Sequence, residues 1–228
     1  MEQVVELIQS GRTEELQRLL DADPALARAV IVDARRVQRT LLHVATDWPG
    51  HFPNAARTIE ILIAAGADPN AQVIQSGPAK SAETPLHWAA SSNDVAALDA
   101  LLAGGADIEA PGAVFTNGTP MSDAVIFAQW DAARRLLARG ARTTLTQAAA
   151  LGLLDRVRAY WAEDAPPPGP EDVTKALWHA CRGGDLATVQ FLVARGGDLH
   201  WIGWDHLRPV DAAQKSGSAE LLTWLGSL

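Results

Sequence analysis

Thr84-Pro85-Leu86-His87-Trp88-Ala89, followed by Leu101-Leu102 and Gly105-Ala106-Asp107, decides the fold of this chain. Pro85 has a fixed φ and no N–H, which suits the first turn of a helix, and Thr84 before it can cap that turn. His87 follows one turn in. Ala89 and Ala90 are small enough for close helix approach, while Val95, Leu98, Leu101 and Leu102 recur at helical spacing and form a second apolar face. Two short antiparallel helices are therefore predicted. Gly104-Gly105 ends the second, since glycine accepts left-handed backbone, and an extended hairpin begins over Asp107 to Pro111. One such unit cannot bury its own apolar face and must stack on copies of itself.

The copies are present. Thr40-Leu41-Leu42-His43-Val44-Ala45 leads to Ile61-Leu62-Ile63 and Gly66-Ala67-Asp68, and Thr119-Pro120-Met121-Ser122-Asp123-Ala124 leads to Leu136-Leu137 and Gly140-Ala141. Ala176-Leu177-Trp178-His179-Ala180 leads to Phe191-Leu192-Val193 and Gly196-Gly197-Asp198, and Arg208-Pro209-Val210-Asp211-Ala212-Ala213 opens a last unit closed by Leu221-Leu222. Val4 to Leu20 reads as a degenerate first copy, and Leu145 to Trp161 as a shortened middle one.

This pattern resembles the ankyrin-repeat family, in its bacterial-type stand-alone form, across nearly the whole chain. The match is specific at 84–111, good at 40–70, 119–141 and 176–200, and loosest at 1–30 and 143–165. The resemblance implies an all-α solenoid of about seven helix pairs with connecting β-hairpin loops. It implies one domain over 1–228, with repeats near 1–30, 31–71, 79–111, 112–142, 143–165, 171–200 and 201–228. Binding through the concave surface, made of hairpin tips and the exposed part of each first helix, is the family's usual mode.

Composition fits a soluble chain. With 228 residues, 48% of them hydrophobic, a long continuous core can form without disulfides or metals. The single cysteine, Cys181, has no internal partner and reads as a small core residue. The N-terminus Met1-Glu2-Gln3-Val4-Val5-Glu6 is acidic where a secretory signal would be basic, and no apolar run reaches membrane-span length, so a cytoplasmic location is expected. A formal charge of −8 with no basic cluster removes the main source of affinity for phosphate backbones, so nucleic acid is not expected as a partner. An acidic solenoid with atypical end units is expected to be a monomer.

Departures from the repeat period are the first functional signal. Thr40 and Thr84 are 44 positions apart, whereas Thr84 and Thr119 are 35 apart, close to the 33 or so of a regular unit. The excess divides between Asp47 to Pro53, which lengthens the turn between two helices, and Gln72 to Glu83, which lengthens a hairpin. Both are expected to project from the stack. Ala165-Pro166-Pro167-Pro168-Gly169-Pro170 is a stiff, extended spacer.

The groove positions carry the second signal. The family usually places leucine directly after the motif histidine; here that place holds Val44, Trp88, Asp123, His179 and Ala212. The outer positions hold Asp47-Trp48, Ser91-Ser92, Ile126-Phe127 and Arg182-Gly183, and the hairpins add Phe115, Trp201 and Trp204. Trp48, His51, Trp88, Phe115, Phe127, Trp201 and Trp204 are thus the candidate ligand- or partner-binding residues. Trp130, Trp161 and Trp224 fall on second-helix positions expected in the core, and Trp178 takes a histidine place and is expected to pack. His43 and His87 are expected to bond neighbouring backbone, while His51 and His179 are freer. Asp123 must either face solvent or find a partner, and solvation is the default expectation.

No metal-ligand spacing, phosphate loop or nucleophile elbow is present, and neither cofactor nor metal is expected. Two functions remain. The first is a non-catalytic module that grips a protein partner with its concave groove and inserted loops, the tryptophans acting as anchors. The alternative is an ankyrin-fold enzyme that holds a small apolar or aromatic ligand in an aromatic-lined groove pocket. There Asp123, His179 and Asp47 would supply acid and base for cyclisation, dehydration or isomerisation.

Overall fold

A computed structural model describes residues 1–33, 36–74, 82–162 and 166–228. The described residues form two compact units, Met1–Ala141 and Arg142–Leu228. In the first, helices pair as α1 (Glu2–Gln9) with α2 (Thr13–Ala22), α3 (Leu41–Ala45) with α4 (Ala55–Ala64), α5 (Pro85–Ser91) with α6 (Val95–Ala103) and α7 (Pro120–Ile126) with α8 (Trp130–Ala138). The second contains α9 (Leu145–Ala150) with α10 (Leu154–Ala159), α11 (Pro170–Gly183) with α12 (Leu186–Val193) and α13 (Pro209–Ser216) with α14 (Ala219–Leu225). Within each unit first helices stack on first helices and second on second, as α5 on α7, α4 on α6 and α11 on both α9 and α13. The all-α repeat architecture expected from the sequence is present.

The helix starts explain the recurring motif. Thr84 N donates to His87 Nδ1 at 3.1 Å and Thr84 Oγ1 lies 3.0 Å from it, forming a capping box ahead of Pro85. Accepting there puts the ring proton on Nε2, which donates to the Gly118 carbonyl at 3.3 Å. His43 repeats the arrangement: Nδ1 accepts from Thr40 N at 3.3 Å and Nε2 donates to the Glu83 carbonyl at 3.1 Å. Each ring caps its own helix and ties down the hairpin of the next repeat. The core beneath is aliphatic, with Leu42, Ile59, Leu62, Leu86, Leu98, Leu101, Met121 and Leu136 sealed from solvent.

Val30–Val32 (β1) pairs antiparallel with Gln38–Thr40 (β2), and Gln38 exchanges backbone bonds with Ile74 at 2.9 and 3.0 Å. Adjacent repeats are also sewn together by side chains. Asn70 accepts from Asp107 N at 2.7 Å and donates to the Gly105 carbonyl at 3.0 Å, and Asn93 accepts from Ala132 N at 2.9 Å.

In the second unit Trp178 stands where the motif has histidine. Its indole N–H donates to the Leu207 carbonyl at 2.9 Å, making the hairpin tie that a ring Nε2 makes elsewhere. Gln147 supplies the other half of the histidine's role, since its Oε1 caps Thr144 N at 2.9 Å. Gly183 allows α11 to approach α9 closely, since a β-carbon there would lie 1.9 Å from the Ala150 carbonyl oxygen.

Candidate groove sites

The inserted turn between α3 and α4 does not project as a whole. Gly50 N donates to the Asp47 carbonyl at 2.7 Å, and His51 N donates to Asp94 Oδ2 at 2.8 Å. His51 Nε2 bonds the Ser92 carbonyl at 3.1 Å, so this ring is tied to the next repeat rather than free. On the other side Asn54 donates to the Gly11 carbonyl at 3.0 Å. Trp48 stands out from this braced platform, 82% exposed. Of the second insertion, residues 75–81 lie outside the described residues; Val73 N donates to the Glu83 carbonyl at 2.8 Å and so anchors its base.

Asp47 receives Arg39 in a half-buried ion pair and caps Trp48 N at 2.9 Å. Trp88, half-buried, meets the His43 ring edge-on at 4.9 Å and donates its indole N–H to Glu83 Oε2 at 3.3 Å. Phe115 and Phe127 lean together at 6.0 Å, 69% and 41% exposed.

Asp123 corrects the expectation of solvation. It is fully buried, and among the described residues no N–H or O–H group donates to either carboxyl oxygen. Its neighbour is a second carboxyl, Glu83, and two carboxyls can bond only through a proton that one of them carries. Burial first, and the facing Glu83 second, push Asp123 up to about 8, so the acid is predominantly protonated at neutral pH. Trp88, Glu83 and Asp123 therefore form one contiguous polar-aromatic cluster within the first unit.

The candidates of the second unit also meet one another. Trp204 contacts Trp178 at 5.2 Å, Trp201 at 5.4 Å and His179 at 4.8 Å. A β-carbon on Gly203 would come within 2.3 Å of Trp201 and 2.9 Å of Trp178, so these rings pack on the glycine and leave no hollow between them. His179 is buried rather than free, with Nδ1 unpartnered, and burial assisted by the nearby Arg182 guanidinium holds the ring down to about 4. Trp204 remains 43% exposed.

Burial pushes the Cys181 thiol up to about 12, leaving it an inert core group. Trp178 is buried as expected; Trp130, Trp161 and Trp224 are only half-buried, and Trp161 and Trp224 pack against the core of the second unit. Asp123 and Asp47 belong to the first unit and His179 to the second. Two surface hollows, of about 270 and 360 Å³, are lined by Thr144, Leu145, Thr146, Tyr160, Pro166, Pro168 and Asp172, and by Thr13, Glu14, Gln17, Arg18, Arg57 and Ile61. None of the candidate residues lines either. No group of three or more potential metal ligands occurs among the described residues.

Sequence reasoning missed Arg39 and Glu83. Both occupy the same register, the residue immediately before the capping threonine, from which a side chain reaches the first-helix face. Reading that column across repeats would have found them.

Paired helices, capped by a Thr/His box and tied hairpin to hairpin, define a repeat protein of the helix–hairpin class. The family description "Ankyrin repeats (3 copies)" matches residues 54–147. The solved ankyrin-repeat domain of human ASB11 superposes with a TM-score of 0.54 at 20% identity, over 97% of this chain and 96% of that one. No curated protein matches the sequence significantly. Residues 54–147 thus match ankyrin repeats, and the fold of the described residues is that of an ankyrin-repeat domain. Ankyrin repeats are generally protein-interaction modules, and no helix among the described residues is long and apolar enough to cross a membrane.

Proposed function

We propose that this chain is a non-catalytic binding module that grips a protein partner with the groove face of its first unit. The observation that carries this reading is Trp48, an indole 82% exposed on a turn that is bonded to the repeat on either side, through the His51 backbone N–H and the Asn54 side-chain amide. A large aromatic held out on a rigid base loses little conformational freedom on binding, which is the property of an interface anchor. Phe115 and Phe127 offer further exposed aromatic area on the repeat of α7. The net charge of −8 disfavours nucleic acid. We place the protein in the cytoplasm as a monomer, the acidic charge opposing self-association.

The alternative, acid–base chemistry on a small molecule, draws on the proton held by Asp123. Against it, both Asp123 oxygens and His179 Nδ1 are sealed from solvent, and Asp47 is committed to Arg39 and to Trp48 N. The test is crosslinking capture from the host lysate with wild type beside a Trp48→Ala/Phe115→Ala double variant. Proteins captured by wild type and lost from the double variant are the expected result. An identical captured set, with the variant still folded by circular dichroism, overturns the assignment of these anchors.

A further inference from the structure

Resting on the reading of a protein partner at the first unit, we propose that β1 is an open sheet edge that takes an extended strand of that partner, rich in uncharged β-branched residues. The phase of the hydrogen bonds decides which groups of β1 are open. In an antiparallel ladder the N–H and C=O of one residue point to the same side, and those of the next residue to the opposite side. Gln38 spends both groups on Ile74, and Val37 gives its carbonyl to Asp33 N at 3.1 Å. Arg39, between them, therefore faces Ile31, with which it is in register. Val30 and Val32 direct their N–H and C=O groups the other way, out of the sheet, and among the described residues nothing bonds them.

That row of groups specifies its occupant. Donor and acceptor together, repeated two residues on, match the outward groups of one extended backbone, the match by which a peptide adds a strand to a sheet. The flanking side chains specify the rest. Val30 and Val32 share one face of the strand and are 51% and 58% exposed, while Ile31 on the other face is half-buried. Uncharged β-branched residues opposite the two valines would cover that area by cross-strand contact. Lysine, proline and bulges, with which chains blunt a sheet edge, do not occur over Val30–Val32. The edge is also continuous with the exposed anchor. Arg39, the residue paired with Ile31, holds Asp47, which in turn caps Trp48 N at 2.9 Å. One partner chain can thus lay a strand on β1 and meet the Trp48 indole.

The experiment follows amide hydrogen exchange by NMR in the full, isotope-labelled chain, with two peptide pools of the form acetyl-Lys-B5-Lys-amide. Each B is valine, isoleucine or threonine, and the second pool is N-methylated at every B. In the free protein the Ile31 amide is expected to exchange slowly and those of Val30 and Val32 quickly. The first pool should slow the Val30 and Val32 amides about tenfold; the methylated pool, with methyl groups where the edge needs donors, should not. Val32→Pro removes one outward N–H and no ladder bond, so Ile31 should stay protected while the pool binds about tenfold more weakly. Val32→Thr keeps the backbone and should bind within about twofold of wild type. Slow Val30 and Val32 amides in the dilute free protein mean an edge already closed and overturn the proposal, as does protection by both pools alike or by neither. Protection that rises with the concentration of the chain alone, with a dimer in sedimentation, assigns the edge to a second copy and overturns it too. Partner capture kept by Val32→Pro but lost from Trp48→Ala/Phe115→Ala overturns the strand seat and leaves the groove reading standing; capture lost from neither overturns both.

Discussion

Replacing Asp123 by asparagine keeps the side chain's shape, and the amide can donate to Glu83 as the protonated acid does; what it removes is the ionisation. In the folded protein this acid is pushed up to about 8, whereas in the unfolded chain it titrates near 3.9. Between those values the native state holds a proton that the unfolded state has lost. Stability must therefore fall as pH rises through the window. Below about 6.5, the ordinary value for histidine, the slope is opposed. His43 and His179, held down to about 4 by burial, and His87, lowered for the same reason, stay neutral when folded and become charged when unfolded. Their contribution is present above the ordinary histidine value and is lost as pH falls towards the folded one.

His43 and His87 share the first unit with Asp123, and two histidine protons outweigh one carboxyl proton, so the stability of that unit should climb from acid pH to a maximum near 6.5 and decline beyond it. From pH 6.5 to 8 the contribution of Asp123, roughly 2 kcal/mol, is opposed by the last of the histidine contribution, which leaves a net decline of about 1 kcal/mol. Urea unfolding of the first unit, followed by circular dichroism, should show the wild-type midpoint dropping by about 0.3–1 M across that interval. The Asp123→Asn midpoint should not fall. Parallel declines in the two proteins, or a level wild type, would refute the buried carboxyl pair.

The other predictions concern the second unit and packing. Gly183→Ala puts a methyl group 1.9 Å from a backbone oxygen of α9, and neither helix has a flexible side chain to yield there. Unfolding of the second unit should become easier by about 1–3 kcal/mol or more; an unchanged urea midpoint would mean that α9 and α11 do not approach as described. Trp178→Phe retains most of the packing and leaves the Leu207 carbonyl without its donor. A loss of about 1–3 kcal/mol is expected in the same assay, and wild-type stability would show that the indole bond contributes nothing.

Local rules made the fold legible. Thr before Pro, His one turn in and Gly after the second helix are short-range instructions; α5 starts where all of them stand, α3 after a Thr with the His but no Pro, and α7 after a Thr with the Pro but no His. The site was legible only in part, because its decisive contacts run between repeats. Asp123 reads as a solvated acid because the group facing it, Glu83, comes from the preceding repeat and follows an insertion. His51 reads as free because its acceptor, the Ser92 carbonyl, is 41 residues away in sequence. Half-buried Trp130, Trp161 and Trp224 reflect geometry that periodicity does not carry: a large ring at a core position can bury one face and leave the other wet.

Departures from the repeat pattern divide according to whether the structure compensates them. Trp178 breaks the histidine rule and regains the lost hairpin tie through its indole N–H; Gln147 breaks it and keeps the cap. Those substitutions are solved within the fold and require no ligand. His179 lacks a partner for Nδ1, yet its ring is covered by Trp204 and Trp178. Asp123 and Trp48 are different. A buried acid that must carry a proton lowers stability at neutral pH, and an indole 82% exposed on a braced turn buries almost nothing. Local rules broken without a gain to the fold are expected where a protein meets something else. Both lie in the first unit, which is why the partner is assigned there.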